Sequence, residues 1–336
     1  MTVNDLVFHN NINMKILITG AGGFIGQFLA RQLLDDSSNQ LVLTDIIDCP
    51  VPKGSKYPQN AQVIKGDLFE KIDELVTKDL DAVYIFHGIM SAGSEANFDL
   101  GQKVNIDATR VLLEKLRHTK PGIRTIFSSS QAVYGRPFPD VITEDVFPTP
   151  EGSYGAEKLV CEILINDYTR RGFIDGLSCR FPTISVRPGK PSQAASSFIS
   201  GIIREPLAGQ ECVVPVKDRS FPSWVCSPKT LIANLVHALH LPSDALPSHK
   251  RTVNMPGLLA TVDDMRNALA KVGGEDKLQY IKEVDDPELG KILHSWAYKF
   301  DNKLALSLGY KPDTSFEQAV REYVDFMKDQ EQLNGH

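Results

Sequence analysis

The chain reads as an α/β protein: a Rossmann-type, doubly wound parallel sheet with a smaller C-terminal α/β substrate domain. Three observations predict this. Lys15-Ile-Leu-Ile-Thr19 is a buried-strand pattern that runs straight into a turn whose glycines, Gly20, Gly23 and Gly26, stand three apart. Short apolar strands then alternate with helix-length segments, as parallel β-α-β units do. Polar residues fall at the carboxyl ends of those strands, where ligands of such sheets sit.

The chain has 336 residues, 42% of them hydrophobic, enough for one large or two medium domains with a real core. Residues 1–13 are polar, with Asn4, Asp5, Asn10, Asn11 and Asn13 and no apolar stretch. They are expected to form a flexible extension ahead of Met14 rather than a secretory signal. After the glycines, Phe24, Ile25, Phe28, Leu29, Leu33 and Leu34 recur at helical spacing. A strand, a glycine turn and a helix in that order aim helix N-terminal amides at a phosphate. One glycine makes the turn, one admits the pyrophosphate, and one lets helix and strand pack. Ile25 stands where the last glycine of G-x-G-x-x-G belongs, so G-x-x-G-x-x-G is the spacing that fits. Gly20, Gly23, Phe24, Ile25 and Gly26 are therefore candidate cofactor-binding residues.

Leu41-Val-Leu-Thr-Asp45 is the second strand and ends in an acid nineteen residues past Gly26. A carboxylate there accepts hydrogen bonds from adenosine ribose hydroxyls and repels a 2′-phosphate. No Arg or Lys follows until Lys53, which favours NAD over NADP; the bland reading is an acid that caps a turn. Residues 48–60 form a loop punctuated by proline and glycine. Gln62–Lys65 is a third strand, followed by Asp67 and Leu68 at the position beside the adenine. Ala82–Phe86 is a fourth strand, running into His87, a lone loop histidine at the cofactor edge of the sheet. Leu100, Val104, Val111, Leu112 and Leu116 predict one long helix from Phe98 to Leu116, with the polar Asn105 inside it. Thr125–Ser128 is a fifth strand that enters Ser129-Ser130. Tyr154 and Lys158 then open a helix, and their spacing puts them on one face.

Together the glycine turn, Asp45, Gly66-Asp67, Ser130 before Val133-Tyr-Gly135, and Tyr154-x-x-x-Lys158 resemble the extended short-chain dehydrogenase/reductase family, which includes nucleotide-sugar epimerases and dehydratases. Ser153-Tyr-Gly-Ala, Arg170-Arg-Gly-Phe, Pro182–Pro191, Ala195–Phe198, Gly201–Leu207, Ser227-Pro228, Asn254–Gly257 and Ser295-Trp296 are similar to its D-erythronate dehydrogenase branch, over nearly everything after Met14. The resemblance implies NAD as cofactor and a homodimer formed through two helices per subunit. It also implies a Rossmann domain over 14–183, to which 221–260 return, and a substrate domain from 184–220 and 261–336. Two features depart from the pattern: the N-terminal extension, and His87-Gly88-Ile89 where the family has His-Leu-Ala.

A tyrosine removes a proton from an alcohol only as phenolate. Half-ionisation at pH 7 from a free pKa of about 10 needs roughly 4 kcal/mol. One ammonium about 4 Å away, at an effective dielectric near 20, supplies about that much, with burial opposing it. Tyr154 is thus the expected general base in oxidation and acid in reduction. Lys158 lowers its pKa and holds the nicotinamide ribose, and Ser130 hydrogen-bonds the reacting oxygen. From the resemblance, Asn105 holds a water that connects Lys158 to solvent. Arg187, Lys190, Arg204 and Arg219 are cations in an acidic chain, and a guanidinium fork suits a carboxylate. Arg187, Arg219 and Ser196 join Ser130 as candidate substrate residues, although most such charges are ordinarily solvated.

The expected reaction is NAD-dependent oxidation of a secondary hydroxyl on a small sugar acid, such as a D-erythronate-like 2-hydroxy acid. An epimerase or dehydratase would use the same triad and return the hydride, and a ketoreductase on another small molecule would also share it. A non-catalytic NAD sensor commonly loses the tyrosine or lysine, and both are present. The net charge of −6 and the lack of a basic run argue against nucleic acid or an anionic membrane. Five cysteines without C-x-x-C spacing point away from zinc or disulfides and toward a reducing, cytoplasmic setting. No stretch of about 18 apolar residues exists to span a membrane.

Overall fold

The computed structural model describes residues 13–189 and 196–334. The expected N-terminal extension, apart from Asn13, and Lys190 lie outside the described residues. In chain order the strands are β1 (Met14–Thr19), β2 (Asn39–Asp45), β3 (Ala61–Lys65), β4 (Ala82–Ile85), β5 (Ile123–Ser130), β6 (Ile174–Phe181), β7 (Thr183–Ile184), β8 (Cys212–Val214), β9 (Pro222–Cys226), β10 (Thr252–Asn254), β11 (Leu258–Thr261) and β12 (Ile281–Glu283). Seven of them make one sheet in the order β10-β6-β5-β4-β1-β2-β3, and every pairing in it is parallel. The order reverses at β1, between β2 and β4, which opens the crevice where doubly wound sheets take their ligands. The three-stranded sheet β11-β9-β7 and the pair β12-β8 lie apart from it.

A parallel sheet with helices on both faces needs apolar residues pointing both ways along each strand. β1 meets this literally: Ile16 and Ile18 enter one core and Leu17 the other, all fully buried. Ala82 and Tyr84 divide from Val83 and Ile85 in the same way. The first core is closed by the helices Phe24–Leu33 and Pro228–His240, the second by Leu68–Leu75, Ala108–Thr119 and Ser153–Arg170. The helix Pro228–His240 starts as its sequence asks, with Ser227 Oγ accepting from Thr230 N at 3.1 Å and proline in the first turn. A further core joins Val186, Ile199, Ile202, Ile203, Phe221, Val262, Met265 and Val320 around β8, β9 and β12. Ala305 and Tyr310 pack instead into the first core, under the nucleotide-type sheet.

The single helix expected from Phe98 to Leu116 is present and carries a π segment within it. Helix Phe98–Gly101 passes into a π-turn at Gln102–Asp107, and α-geometry resumes at Ala108–Thr119. The reason is Asn105. Its Oδ1 accepts from Ile89 N at 2.7 Å and its Nδ2 donates to Ile89 O at 3.0 Å. Turning a buried amide onto the loop after β4 takes the extra residue that a π-turn inserts.

A buried polar network ties the site-bearing elements together. Arg180 on β6 forks onto Glu162 of the helix Ser153–Arg170 at 2.8 and 2.6 Å. Ser129 Oγ also donates to Glu162, while Arg180 reaches the Tyr134 hydroxyl, which donates to Asn254 Oδ1 at 3.0 Å. Both charges are almost completely buried, so losing one strands the other. Glu162→Ala is expected to cost about 3–5 kcal/mol of stability in chemical denaturation. A loss under about 1 kcal/mol, as for a surface pair, contradicts this reading.

Candidate active site

Backbone packing dictates the glycine turn. Gly20 has φ +66°, and a Cβ there would stand 2.5 Å from the His87 nitrogen. A Cβ on Gly26 would lie 2.6 Å from Gly20 O and 2.8 Å from Ala21 Cα, so only glycine lets the helix Phe24–Leu33 come this close to the turn. Gly23 caps that helix without a side chain and is exposed, which leaves first-turn amides open to an anion. Phe24 and Ile25 follow, partly buried against the first core. Asp45 Oδ2 accepts from Gly22 N at 2.9 Å, which ties the end of β2 to the turn. These residues fit a dinucleotide: open amides for the pyrophosphate, and a carboxylate beside them for the ribose hydroxyls.

Asp67 serves locally as the cap of the helix Leu68–Leu75, its Oδ1 accepting from Phe69 N at 3.0 Å. Leu68 is buried in the core beneath. His87 is held between two hydroxyls, Nδ1 at 2.9 Å from Thr19 Oγ1 and Nε2 at 3.2 Å from Thr109 Oγ1. Burial, with Lys158 adding to it, pushes its pKa down to about 3, so the ring is neutral. It braces the loop after β4 against β1 and the helix Ala108–Thr119.

Ser130 ends β5 and accepts from Ala132 N at 3.1 Å. Its hydroxyl also favours ionisation of the Tyr154 phenol. Lys158 Nζ lies 5.5 Å from the centre of the Tyr154 ring and 4.7 Å from that of Phe127. Burial dominates both groups. It drives the Tyr154 phenol well above its ordinary value, with Ser130 opposing and Glu157 adding to the rise. It draws Lys158 down to about 8, partly offset by Cys161, Glu157 and Glu162. Burial of the phenol thus opposes, in the cofactor-free protein, the ionisation expected of Tyr154. Asn105 lies beside this pair, where a Cβ on Gly88 would come 2.9 Å from its Oδ1 and 3.8 Å from Lys158 Nζ. The glycine at 88, which departs from the family pattern, keeps that space clear.

On the substrate side, Arg187 and the helix Ser197–Leu207 meet. Arg187 N donates to Ser200 Oγ at 3.1 Å, and Arg204 Nη1 donates to Arg187 O at 2.9 Å. No acid pairs with the Arg187 guanidinium among the described residues, and burial together with Arg204 lowers its pKa. Arg204 itself is paired with Glu205 at 2.6 Å. Ser196 caps the helix without a side-chain hydrogen bond and stays partly open. Arg219 is placed otherwise: it forks onto Glu283 at 2.8 and 3.0 Å, a carboxylate that Arg266 shares at 3.1 Å.

Two contributors escaped the sequence reading. Gly155 lies so close to Ala132 O that a Cβ would collide with it, which seats Tyr154 beside Ser130; its one sequence signal is a glycine in a helical first turn. Gln131, next to Ser130, donates to Thr183 Oγ1 at 3.1 Å, and its buried Oε1 has no partner. It lines a small cleft with Thr183, Phe221, Trp224, Trp296 and Tyr298, and nothing local in the sequence marks it. Among the described residues no three His, Cys, Asp or Glu side chains gather as a metal site, and no helix is long and apolar enough to cross a membrane.

The sequence model of the NAD dependent epimerase/dehydratase family matches residues 16–220. The chain is 41% identical over 320 residues to the D-erythronate dehydrogenase of Haemophilus influenzae, covering 93% of this chain and 99% of that one. It is 39% identical over 321 residues to that of Cupriavidus necator, covering 93% and 98%. Among solved structures, a nucleoside-diphosphate-sugar epimerase from Agrobacterium tumefaciens superimposes with a TM-score of 0.86 at 34% identity, covering 96% of this chain and 98% of that one. With its glycine turn, Asp45, Ser130, Tyr154 and Lys158 on one sheet edge, the chain belongs to the NAD-dependent epimerase/dehydratase family, the extended short-chain dehydrogenases/reductases, and is an NAD-dependent enzyme.

Proposed function

We propose that this enzyme is a dehydrogenase that oxidises a secondary hydroxyl of a small sugar acid, a D-erythronate-like 2-hydroxy acid giving the 2-oxo acid. The observation that carries the reading is the end-to-end likeness to two D-erythronate dehydrogenases. Arg187 supports it as a half-buried guanidinium that no acid neutralises among the described residues.

When bound, NAD accepts the hydride from the substrate carbon and brings a positive ring to the site. The chain's own residues do the rest. Gly20, Gly23 and Gly26 leave room for the pyrophosphate, Asp45 holds the adenosine ribose, and Asp67 and Leu68 flank the adenine. Tyr154 takes the hydroxyl proton in oxidation and returns it in reduction. Ser130 bonds both the reacting oxygen and the phenol, fixing the distance between them. Lys158 stabilises the phenolate and holds the nicotinamide ribose. Arg187 grips the carboxylate in two-point contact, aided by Ser196 and the open amides of the helix behind it. Gln131 Oε1 accepts from a substrate hydroxyl.

We further propose a cytoplasmic homodimer. Leu100, Val160 and Ile163 are exposed on the outer faces of neighbouring helical segments, an apolar stripe that a second copy would cover. Light scattering is expected to give twice the chain mass and Ile163→Glu a monomer; a monomeric unmodified protein overturns this.

The similarity to a sugar-nucleotide epimerase structure favours one rival, in which the hydride goes back to the substrate. Absorbance separates the two. With D-erythronate and NAD, NADH is expected to accumulate, and Arg187→Ala is expected to raise KM by about tenfold or more with a smaller change in kcat. Substrate conversion without net NADH supports the epimerase. No reaction with any four- to six-carbon hydroxy acid, or an unchanged KM in Arg187→Ala, overturns the proposal.

A further inference from the structure

Glu157 takes no part in the chemistry described so far, and its setting calls for one. It lies on the helix Ser153–Arg170 between Tyr154 and Lys158, and its side chain is wholly buried. Oε2 accepts from Ser94 Oγ at 2.9 Å and from the Asn105 amide. Oε1 is buried without a hydrogen-bond partner, against Gly101, where a Cβ would collide with it. Both donors are neutral, and the adjacent ammonium along the helix is that of Lys158. A half-satisfied buried carboxylate is costly to keep, and an apolar side chain would fill a plain core position more stably.

What the carboxylate touches explains it. Asn105 is locked to both backbone groups of Ile89. Its amide nitrogen also donates to Ser94 Oγ at 3.3 Å and to Glu157 Oε2, the charged acceptor of the set. The same Asn105 faces Gly88 together with Lys158: a Cβ there would stand 2.9 Å from Asn105 Oδ1 and 3.8 Å from Lys158 Nζ. We propose that Glu157 is a positioning residue: it holds Asn105 against the loop after β4 and sets a buried negative charge behind the Tyr154–Lys158 pair. The proposal rests on the roles assigned above to Tyr154 and Lys158.

The charge has a definite sign of effect. It makes proton loss harder for the Tyr154 phenol and for the Lys158 ammonium alike. The other ionisable groups facing this corner are Cys161 and Glu162 on the same helix and His87 on the loop after β4. Glu95 is turned to the start of the helix, accepting from Ser153 N at 2.6 Å. Asp99, Lys103 and Asp107 are exposed. Removing the Glu157 charge should therefore lower both proton affinities together.

The test is competitive labelling of Lys158 by acetic anhydride across pH, read by peptide mass spectrometry on the cofactor-free protein. It needs no substrate, so it stands apart from the sugar-acid reading. Glu157→Gln keeps the shape and removes the charge. Its labelling midpoint is expected to fall below that of the unmodified protein by on the order of one pH unit. Both limbs of the kcat/KM profile with the active substrate should move the same way. An unmoved midpoint overturns the proposal, whatever happens to turnover. Glu157→Asp covers the case in which Glu157→Gln does not fold. It keeps the charge and withdraws it from Asn105, so kcat should fall severalfold with the midpoint in place; unchanged kcat in Glu157→Asp overturns the positioning role.

Discussion

The site depends on the burial of two groups that each prefer water when charged. The Lys158 ammonium lies over the rings of both Phe127 and Tyr154, nearer the Phe127 ring. A charge about 4 Å away is worth about 4 kcal/mol at an effective dielectric near 20. Desolvation works against both charges at once, so the phenol rises while the lysine falls to about 8. In the cofactor-free protein the phenol therefore keeps its proton, while the Lys158 ammonium gives its proton up more readily than a free lysine does. A further positive charge beside the phenol, which an oxidised nicotinamide would bring, would ease its ionisation.

The fold supplies that burial through close backbone contacts rather than through many specific bonds. Gly20 and Gly26 bring the first helix onto β1, Gly155 brings the catalytic helix onto the turn after β5, and Gly88 leaves Asn105 and Lys158 side by side. The Glu162–Arg180 pair fixes the same helix to β6 from below. Each strand end then delivers one group to a common edge: the turn from β1, Asp45 from β2, His87 from β4 and Ser130 from β5.

Much of this was legible in the chain. The strand-turn-helix at 15–34 and the alternation of apolar strands required only period and glycine spacing, and the parallel sheet follows. Tyr154 and Lys158 were readable because four residues are about one helical turn. The rest depends on contacts between distant segments. The helix at 98–116 keeps its apolar spacing, yet its π segment surrounds Asn105, which bonds Ile89, sixteen residues earlier. Arg219 resembled a carboxylate clamp until Glu283, sixty-four residues on, took its guanidinium. Glu157 and Gln131 are ordinary polar letters whose burial appears only once the chain has folded. Local pattern set out the elements; the partner of each charge had to be seen.

The most direct measurement is a spectrophotometric titration of the Tyr154 phenol, taken as the difference between the unmodified protein and Tyr154→Phe, with and without NAD. The account predicts a midpoint above the free-tyrosine value of about 10 in the cofactor-free protein, falling by on the order of two pH units when NAD binds. A midpoint at or below about 10 without cofactor, or one that NAD leaves in place, would contradict it.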